Sequence, residues 1–492
     1  MEQSRKAGIL LPVASLPGRH GIGDFGPDAY EFVDMISNAG FSYWQILPLN
    51  PVGYGNSPYQ PYSSFAIDEN FISLTDLTKR GYLKRIANRD ISAERVDYNG
   101  VKEFKLRLLR IAFETQMRKN PRCLRTFIRN NPWVEDYAAF AMFHRKYQSS
   151  WDEWPEEERN WIKGDKSLSR CLSHEQKFEI WIQMTAYRQW NALHKYALSK
   201  GIRIIGDVPF YVGYDSCDVW ANQDTFLLSS VDAKPTFIAG VPPDYFSKTG
   251  QRWGNPIYDW EKLEREGFAF LKERIERNAK IYDVIRLDHF RAFDTYWKIP
   301  SSCETAIDGA WIEAPGYKFF DTMFQDNPNL KDAIIAEDLG DLRPEVLVLR
   351  DHYGFPGMSV VEFTFNEDVF KKAKEWNLKN LVVYLGTHDN DTMAGFLSEM
   401  EEEELKKWEE ALEEKGYEED SDVDNLIRFA LDKPAYLTVL TVQDILGQGS
   451  EYRINVPGIV DNVNWTYKMK DFKSLRAKLP TIRRYIKKAK RA

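Results

Sequence analysis

Cysteine is sparse in this chain. There are four in 492 residues, Cys123, Cys171, Cys217 and Cys303, far apart and without a CxxC pair. That spacing excludes a disulfide framework and a thiolate zinc site, and it fits free thiols in a reducing compartment, so a cytoplasmic location is expected. The seven histidines are scattered and form no HExxH, so neither a metal nor a cofactor is expected. No segment approaches the roughly 20 apolar residues of a membrane span. Gly8 to Leu16 is apolar behind Lys6, but Pro12 interrupts it and no convincing cleavage site precedes the Gly18-Arg19-His20-Gly21 turn; it reads as a first strand and not as a leader. A basic excess is missing too. The net charge of −8 argues against nucleic acid as a partner, and the short basic run Arg483 to Arg491 reads as a solvated helix end.

Aromatic residues, by contrast, are plentiful at 14%, with 15 Trp and 25 Tyr. Core packing accounts for many of them, and pyranose rings also stack on aromatic faces, which gives a sugar-binding reading some weight. The length exceeds one small core and calls for either a large barrel-type domain with insertions or several domains.

Strand-like runs alternate with helical ones. Gly8–Val13 is followed by a helix from Pro27 to Asn38, opened by proline and closed by Gly40. After a second strand, Tyr43–Leu49, the alternation stops for about 150 residues of helical pattern, among them Val101–Met117 and Val134–Tyr147. A helix from Glu175 to Ser199 leads into a third strand, Arg203–Val208. A Gly/Pro/aromatic-rich stretch, Pro209–Tyr258, follows and is too long for a simple connection. Val284–Leu287, Ala333–Ala336, Met358–Val361, Leu381–Gly386 and Tyr452–Val456 complete eight strands. The acidic stretch Ser398–Asp424 reads as solvated helices before the eighth. Eight strands alternating with helices predict an α/β fold, a (β/α)8 TIM barrel with large helical and loop insertions after strands 2 and 3. A doubly wound sheet would want a GxGxxG or P-loop, and neither is present. One catalytic domain is expected over 1–492, with a mostly helical insertion at 51–200 and substrate-cleft loops and a helix at 209–281.

In such a barrel, residues at the C-terminal ends of strands converge on one mouth. Three carboxylates follow apolar runs: Asp288 in Val284-Ile285-Arg286-Leu287-Asp288-His289, Glu337 after Ile334-Ile335-Ala336, and Asp389 after Leu385-Gly386-Thr387-His388. This pattern suits a substrate that develops positive charge, and a sugar cleaved at its anomeric carbon is the leading candidate. Asp288 fits a nucleophile, with Arg286 two residues back on the same strand face keeping it ionised; a structural Arg–Asp pair is the equal alternative from this string alone. Glu337 fits an acid/base whose apolar surroundings raise its pKa, although a helix cap explains it as well. Asp389 fits a third acid that holds sugar hydroxyls. His289 and His388 each adjoin one of these acids, and Asp207 ends the third strand in the same manner. The segments Gly53–Gln60 and Gly240–Pro256 combine turn-forming Gly and Pro with aromatics and amides, as sugar-handling loops do. Gly447-Gln448-Gly449-Ser450 lies before the expected eighth strand, the wrong end for a phosphate loop.

These motifs are recognisable together. Gly23-Asp24-Phe25-Gly26, the run Asn50–Ala66, Gly206–Val212, Gly240–Tyr258, Arg286–Phe293, Ile334–Asp341 and Gly386–Thr392 resemble the 4-α-glucanotransferases (amylomaltases, or disproportionating enzymes) of the α-amylase clan, essentially end to end. The resemblance implies Asp288 as nucleophile, Glu337 as acid/base and Asp389 as transition-state stabiliser. It implies substrate contacts from Tyr54, Ser57, Tyr59, Asp207, Asp244, Gln251, Trp253, Arg286, His289 and His388, and a loop around Asp244–Trp253 that folds over the cleft. It also implies α-1,4-glucans (maltooligosaccharides, amylose, glycogen or starch) as donors, glucose or another glucan as acceptor, no metal or cofactor, and a monomer or small homo-oligomer.

Overall fold

The computed structural model describes residues 5–89, 93–164, 172–243, 247–364 and 380–492. Twelve strands are present among them: β1 Lys6–Leu10, β2 Tyr43–Gln45, β3 Arg203–Val208, β4 Phe237–Val241, β5 Gln251–Pro256, β6 Val284–Leu287, β7 Thr295–Pro300, β8 Ala310–Glu313, β9 Ile334–Ala336, β10 Gly357–Val360, β11 Leu381–Tyr384 and β12 Leu437–Thr441. Eight of them form one parallel sheet in the order β10-β11-β12-β1-β2-β3-β6-β9. The two ends meet where the Ala336 N–H donates to the Pro356 carbonyl at 2.9 Å. Asp338 reinforces the seam by accepting from the Met358 N–H at 2.7 Å while it pairs with Arg350. The sheet is a nearly closed (β/α)8 barrel.

Its lumen is a packed core. Leu10, Tyr43, Ile205, Val284, Ile335, Val360, Val382, Tyr384, Leu437 and Val439 fill it. The alternate residues of the same strands, Ile9, Trp44, Ile204, Ile285 and Val383 among them, face the surrounding helices. This two-sided burial is why the strands read as continuous apolar runs.

Seven of the eight expected strands coincide with barrel strands, some with shifted ends. The eighth does not. Tyr452–Val456 is not a strand; the place between β11 and β1 belongs to β12. Tyr-Arg-Ile-Asn-Val alternates with period two and mimics a half-exposed strand, whereas Leu437–Thr441 is buried throughout and shows no alternation. The segment Gly447–Ser450 therefore follows strand eight instead of preceding it. There Gly447, at φ 61°, ends the short helix Val442–Leu446. It presents a helix C-terminus, which repels an anion.

The stretch 51–200 carries the helices Leu74–Lys79, Tyr98–Lys119, Trp133–Tyr147 and His174–Ser199. The last opens with a reciprocal cap between Ser173 and Gln176. Fully buried Lys105 fastens this stretch to the barrel by donating to Asp24 at 3.0 Å and to the carbonyls of Asn70 and Ile72.

A second sheet, antiparallel in the order β5-β4-β7-β8, was not expected. The loop-like region 209–258 contains a β4–β5 hairpin, and β7–β8 braces it from the other side. The strands of the hairpin approach so closely that a Cβ on Gly240 would lie 2.0 Å from the Gln251 carbonyl oxygen. The glycines that made this stretch look like loop are thus needed inside a tightly paired hairpin.

In the basic run, Arg483, Arg484, Lys487, Lys488 and Lys490 are exposed at the end of the helix Lys473–Lys488, as a solvated helix end requires, and Arg491 alone departs. Arg491 is completely buried and donates to the carbonyls of Lys6, Leu431 and Lys433. Arg5 joins it on the carbonyls of Asp432 and Lys433. Two guanidinium groups thus satisfy the unpaired carbonyls at the C-terminus of the helix Asp422–Asp432 and tie both chain ends to the foot of β12. Arg491→Ala leaves buried carbonyls without donors and should cost about 2–4 kcal/mol of stability. Denaturant unfolding reads this directly; an unchanged midpoint would show that water replaces the side chain at no cost.

Candidate active site

The three acids and their neighbours meet at one end of the barrel because each follows the C-terminal end of its strand. Asp207 on β3 is the register partner of Arg286 on β6. The Arg286 Nη1 donates to both Asp207 oxygens, at 2.9 and 2.8 Å, and to Asp288 Oδ1 at 2.9 Å. The Arg286 and Asp207 side chains are 4% and 0% exposed, while that of Asp288 is 26% exposed and so reaches the cleft.

Immediately after Asp288 the chain turns through a left-handed residue, His289 at φ 51°. A non-glycine residue there is strained, and such strain persists where surroundings impose it. The turn aims the His289 N–H at Glu337 Oε2, 2.8 Å away, and the Leu339 N–H holds Oε1 at 3.0 Å. The Glu337 carboxyl is therefore bonded to the peptide that directly follows Asp288. Burial pushes its pKa up to about 7, and the charge of Asp288 adds to this; Arg286 and the two N–H donors pull the other way and do not prevail. Its neighbour Asp338 belongs to the barrel seam and points away from this chemistry.

Asp389 has the opposite environment. Burial pushes its pKa up, but the charge and hydrogen bond of His388, the Asn455 amide and the field of Arg286 outweigh it and bring it down to about 2. His388 Nε2 lies 3.2 Å from Asp389 Oδ2 and 2.8 Å from the Tyr59 hydroxyl. Tyr59 donates to Asp207 Oδ2 at 2.8 Å and stacks on the His388 ring with centroids 5.2 Å apart. Four sequence-predicted residues, Tyr59, Asp207, His388 and Asp389, thus form one network from two strand ends, those of β3 and β11, and the loop after β2.

His289 is neutral at physiological pH, because burial lowers its pKa to about 4, and its Nε2 has no hydrogen-bond partner among the described residues. Trp253 on β5 meets that ring edge to face at 4.9 Å and donates its Nε1–H to Gln251 Oε1 at 3.1 Å. Ser57 is more remote from the acids: its Oγ accepts from the Tyr59 N–H at 3.2 Å and fixes the Tyr59 loop. The Tyr54 backbone starts a 3-10 turn in that same loop; its side chain, like Asp244 as a whole, lies outside the described residues.

Three residues near the acids escaped the sequence reading. Trp465, at φ 67°, places its ring 5.6 Å from Tyr59 and 6.0 Å from His388. Asn455 donates to Asp389 Oδ1 at 2.6 Å, and Arg453 donates to the Asp389 carbonyl at 2.6 Å. The misplaced eighth strand hid the last two. Gln60, in the loop with Tyr59, joins the two cleft walls by donating to the Trp253 carbonyl at 3.1 Å and to Asn255 at 3.2 Å.

Two carboxyl groups whose pKa values are pushed apart, to about 7 and about 2, beside a third that faces the cleft make an acid–base site of the kind used on glycosidic bonds. Comparison with known proteins agrees. Residues 11–474 match the family model described as 4-alpha-glucanotransferase. A 4-alpha-glucanotransferase from Thermus thermophilus is 40% identical over 487 residues, covering 95% of either chain. One from Synechocystis is 40% identical over 488 residues, covering 95% of this chain and 94% of its own. The solved amylomaltase from Streptococcus agalactiae in complex with acarbose superposes with a TM-score of 0.92 at 33% identity, covering 99% of this chain and all of that one. The chain belongs to the 4-α-glucanotransferase family, enzymes that disproportionate glucans.

Proposed function

We propose that Asp288 is the nucleophile, Glu337 the general acid and base, and Asp389 the anchor of the sugar in the transition state. The observation that supports this assignment best is the Glu337 carboxyl, with a pKa of about 7, bonded to the peptide adjoining Asp288. A carboxyl that is largely protonated below neutrality donates to a leaving oxygen, and one that loses its proton near neutrality takes the next proton back.

In the first step an Asp288 oxygen attacks the anomeric carbon of an α-1,4-glucan. The glycosidic C–O bond breaks, and Glu337 gives its proton to the departing 4-oxygen. The donor fragment stays on Asp288 as an ester. In the second step Glu337, now a carboxylate, removes the proton from the 4-hydroxyl of glucose or another glucan. That oxygen attacks the anomeric carbon, the ester bond to Asp288 breaks, and a new α-1,4 bond forms with retained configuration. Positive charge develops on the sugar ring in both steps. Ionised Asp389 stabilises it and accepts from the ring hydroxyls, while Asp207 and His388, buried behind it, act on the sugar through Arg286, Tyr59 and Asp389. Trp253, Gln251, Tyr59 and His289 line the sugar's path; Ser57, and Tyr54 and Asp244 by resemblance, extend it. The buried Nε2 of His289, without a partner among the described residues, supports this role, since a sugar hydroxyl would satisfy it. No helix among the described residues is long and apolar enough to cross a membrane. We place the enzyme in the cytoplasm, acting on maltooligosaccharides, amylose, glycogen or starch as a monomer or small homo-oligomer.

Maltotriose incubated alone with the enzyme should yield a ladder of longer maltooligosaccharides plus glucose, resolved by chromatography. Glucose and maltose without a ladder would make hydrolysis the main reaction. Asp288→Asn and Glu337→Gln should fold normally and lose transfer by at least about 10³-fold; near-native turnover in either variant would overturn its assignment.

The pH dependence has a definite sign. Glu337 is the proton donor in the first step, and its pKa is raised to about 7. The reactive form is present below that pH, so kcat/KM should decline as pH rises through about 7. Assays across pH 5–9, a range of roughly two units either side of that value, read the limb. A flat profile there would mean that another group supplies the proton.

A further inference from the structure

The segment Arg453–Val456 lies across the barrel mouth after strand eight, and two of its residues act on one partner. Asn455, 7% exposed, donates its Nδ2–H to Asp389 Oδ1 at 2.6 Å. Arg453 donates through Nη2 to the Asp389 carbonyl at 2.6 Å and through Nε to the Asn455 carbonyl at 2.7 Å. One guanidinium therefore locks the two backbones together, and the amide reaches across to the carboxylate. The other side of this segment is fixed as well: Asn464 exchanges hydrogen bonds with the Val456 N–H and carbonyl, and the Trp465 N–H donates to the Ile454 carbonyl at 2.7 Å. We infer that Asn455, braced by Arg453, is a positioning residue that orients the Asp389 carboxylate toward the sugar.

This inference rests on the role proposed for Asp389. A carboxylate has about four lone-pair sites. His388 occupies one on Oδ2 and Asn455 one on Oδ1, so the plane of the group is set by two donors from different elements. The remaining lone pairs face the cleft, where the Asp389 side chain is 42% exposed. Titratable or charged groups approach from every side: His388 on its own loop, Arg286 on β6, the neutral phenol of Tyr59 from the loop after β2 and Arg453 from the segment itself. Among these neighbours Asn455 is the one that cannot titrate. An amide donates without adding charge, so it fixes geometry and leaves the negative charge on Asp389 available to the developing cation. A carboxylate in the same place would share a proton with Asp389.

The test compares Asn455→Ala with the nearly isosteric Asn455→Asp. The first should lower kcat about 10- to 100-fold with KM little changed, the value of a hydrogen bond to a charged group. The second should move the acid limb of kcat/KM upward by about one pH unit or more, because two adjacent carboxyl groups cannot both ionise readily. A residue that only packs would leave that limb in place. Asn455→Ser, which keeps a short donor, should recover part of the kcat lost in Asn455→Ala. If Asn455→Ala unfolds, Asn455→Asp, which keeps the shape, carries the decision alone. Near-native kcat and an unmoved acid limb in folded Asn455→Asp would overturn the inference. Asp389→Asn separates the two levels. If it retains transfer, the role of Asp389 fails; if it is inactive while the Asn455 variants resemble the parent, this inference fails and the role of Asp389 stands.

Discussion

The site depends on one guanidinium. Arg286 sits at the penultimate position of its strand, in register with Asp207 on the neighbouring strand, and two residues before Asp288. Sequence spacing places Arg286 and Asp288 on the same side; sheet register brings Asp207 to meet them. Burying three charged groups is unfavourable unless they satisfy one another, and here Nη1 alone reaches three carboxylate oxygens. Loss of Arg286 or Asp207, the two buried partners, leaves an uncompensated buried charge, worth about 3–5 kcal/mol, whereas Asp288 is partly exposed and lies outside that penalty. The geometry of Asp288 is thus tied to the stability of the barrel mouth. The same positive charge reaches Glu337 and Asp389, so it takes part in setting the protonation of both.

Around that fixed charge, two carboxyl groups of similar intrinsic acidity take opposite states. Glu337 emerges from Ile334-Ile335-Ala336, all buried, and receives only two backbone N–H groups. Asp389 emerges from an equally apolar strand but is met by an imidazole and an amide. Glu337 is desolvated, and Asp389 only partly so, its side chain being 42% exposed. What separates them is the number and charge of the donors that the neighbouring loops bring, and those loops come from distant parts of the chain. Hence the difference in acidity between Glu337 and Asp389 is made by tertiary structure, though both carboxyl groups are placed by the strands.

This divides what could be read from the sequence from what could not. Residues adjacent to strand ends were legible in position, because charged residues that follow apolar runs converge on one mouth of a barrel, although a structural Arg–Asp pair and a helix cap explained the strings as well; Asp207, Arg286, Asp288, Glu337, His388 and Asp389 all belong to this class. Seven barrel strands were legible for the same reason. The eighth failed because alternation in Tyr452–Val456 outcompeted the unbroken run Leu437–Thr441, although a barrel strand buried on both faces is expected to lack alternation. The antiparallel sheet failed because its glycines and exposed positions carry the composition of loop. Asn455 and Trp465 act through a long return of the chain over the mouth and, for Trp465, a left-handed backbone at a non-glycine residue. No local pattern encodes either.

The antiparallel sheet bears on why such a site can transfer instead of hydrolyse. Trp253 is carried on a paired strand, its ring set against His289 and its carbonyl held by Gln60 from the opposite wall. Behind that hairpin, β7 and β8 supply a second layer of ladder bonds, and the Ala306 N–H donates to the Thr249 carbonyl at 3.0 Å. Side chains mounted on paired strands hold position better than those on free loops. An acceptor sugar bound against such a wall has its hydroxyl pre-oriented, an advantage that can reach effective molarities of about 10⁵ M or more and so exceed the concentration of water. Water has no ring to stack and gains nothing from that wall. A set of carboxyl groups of this kind serves either reaction equally, so the choice of acceptor falls to the groups around it, among which Trp253, on a strand paired through β4 to β7, is placed to meet a ring.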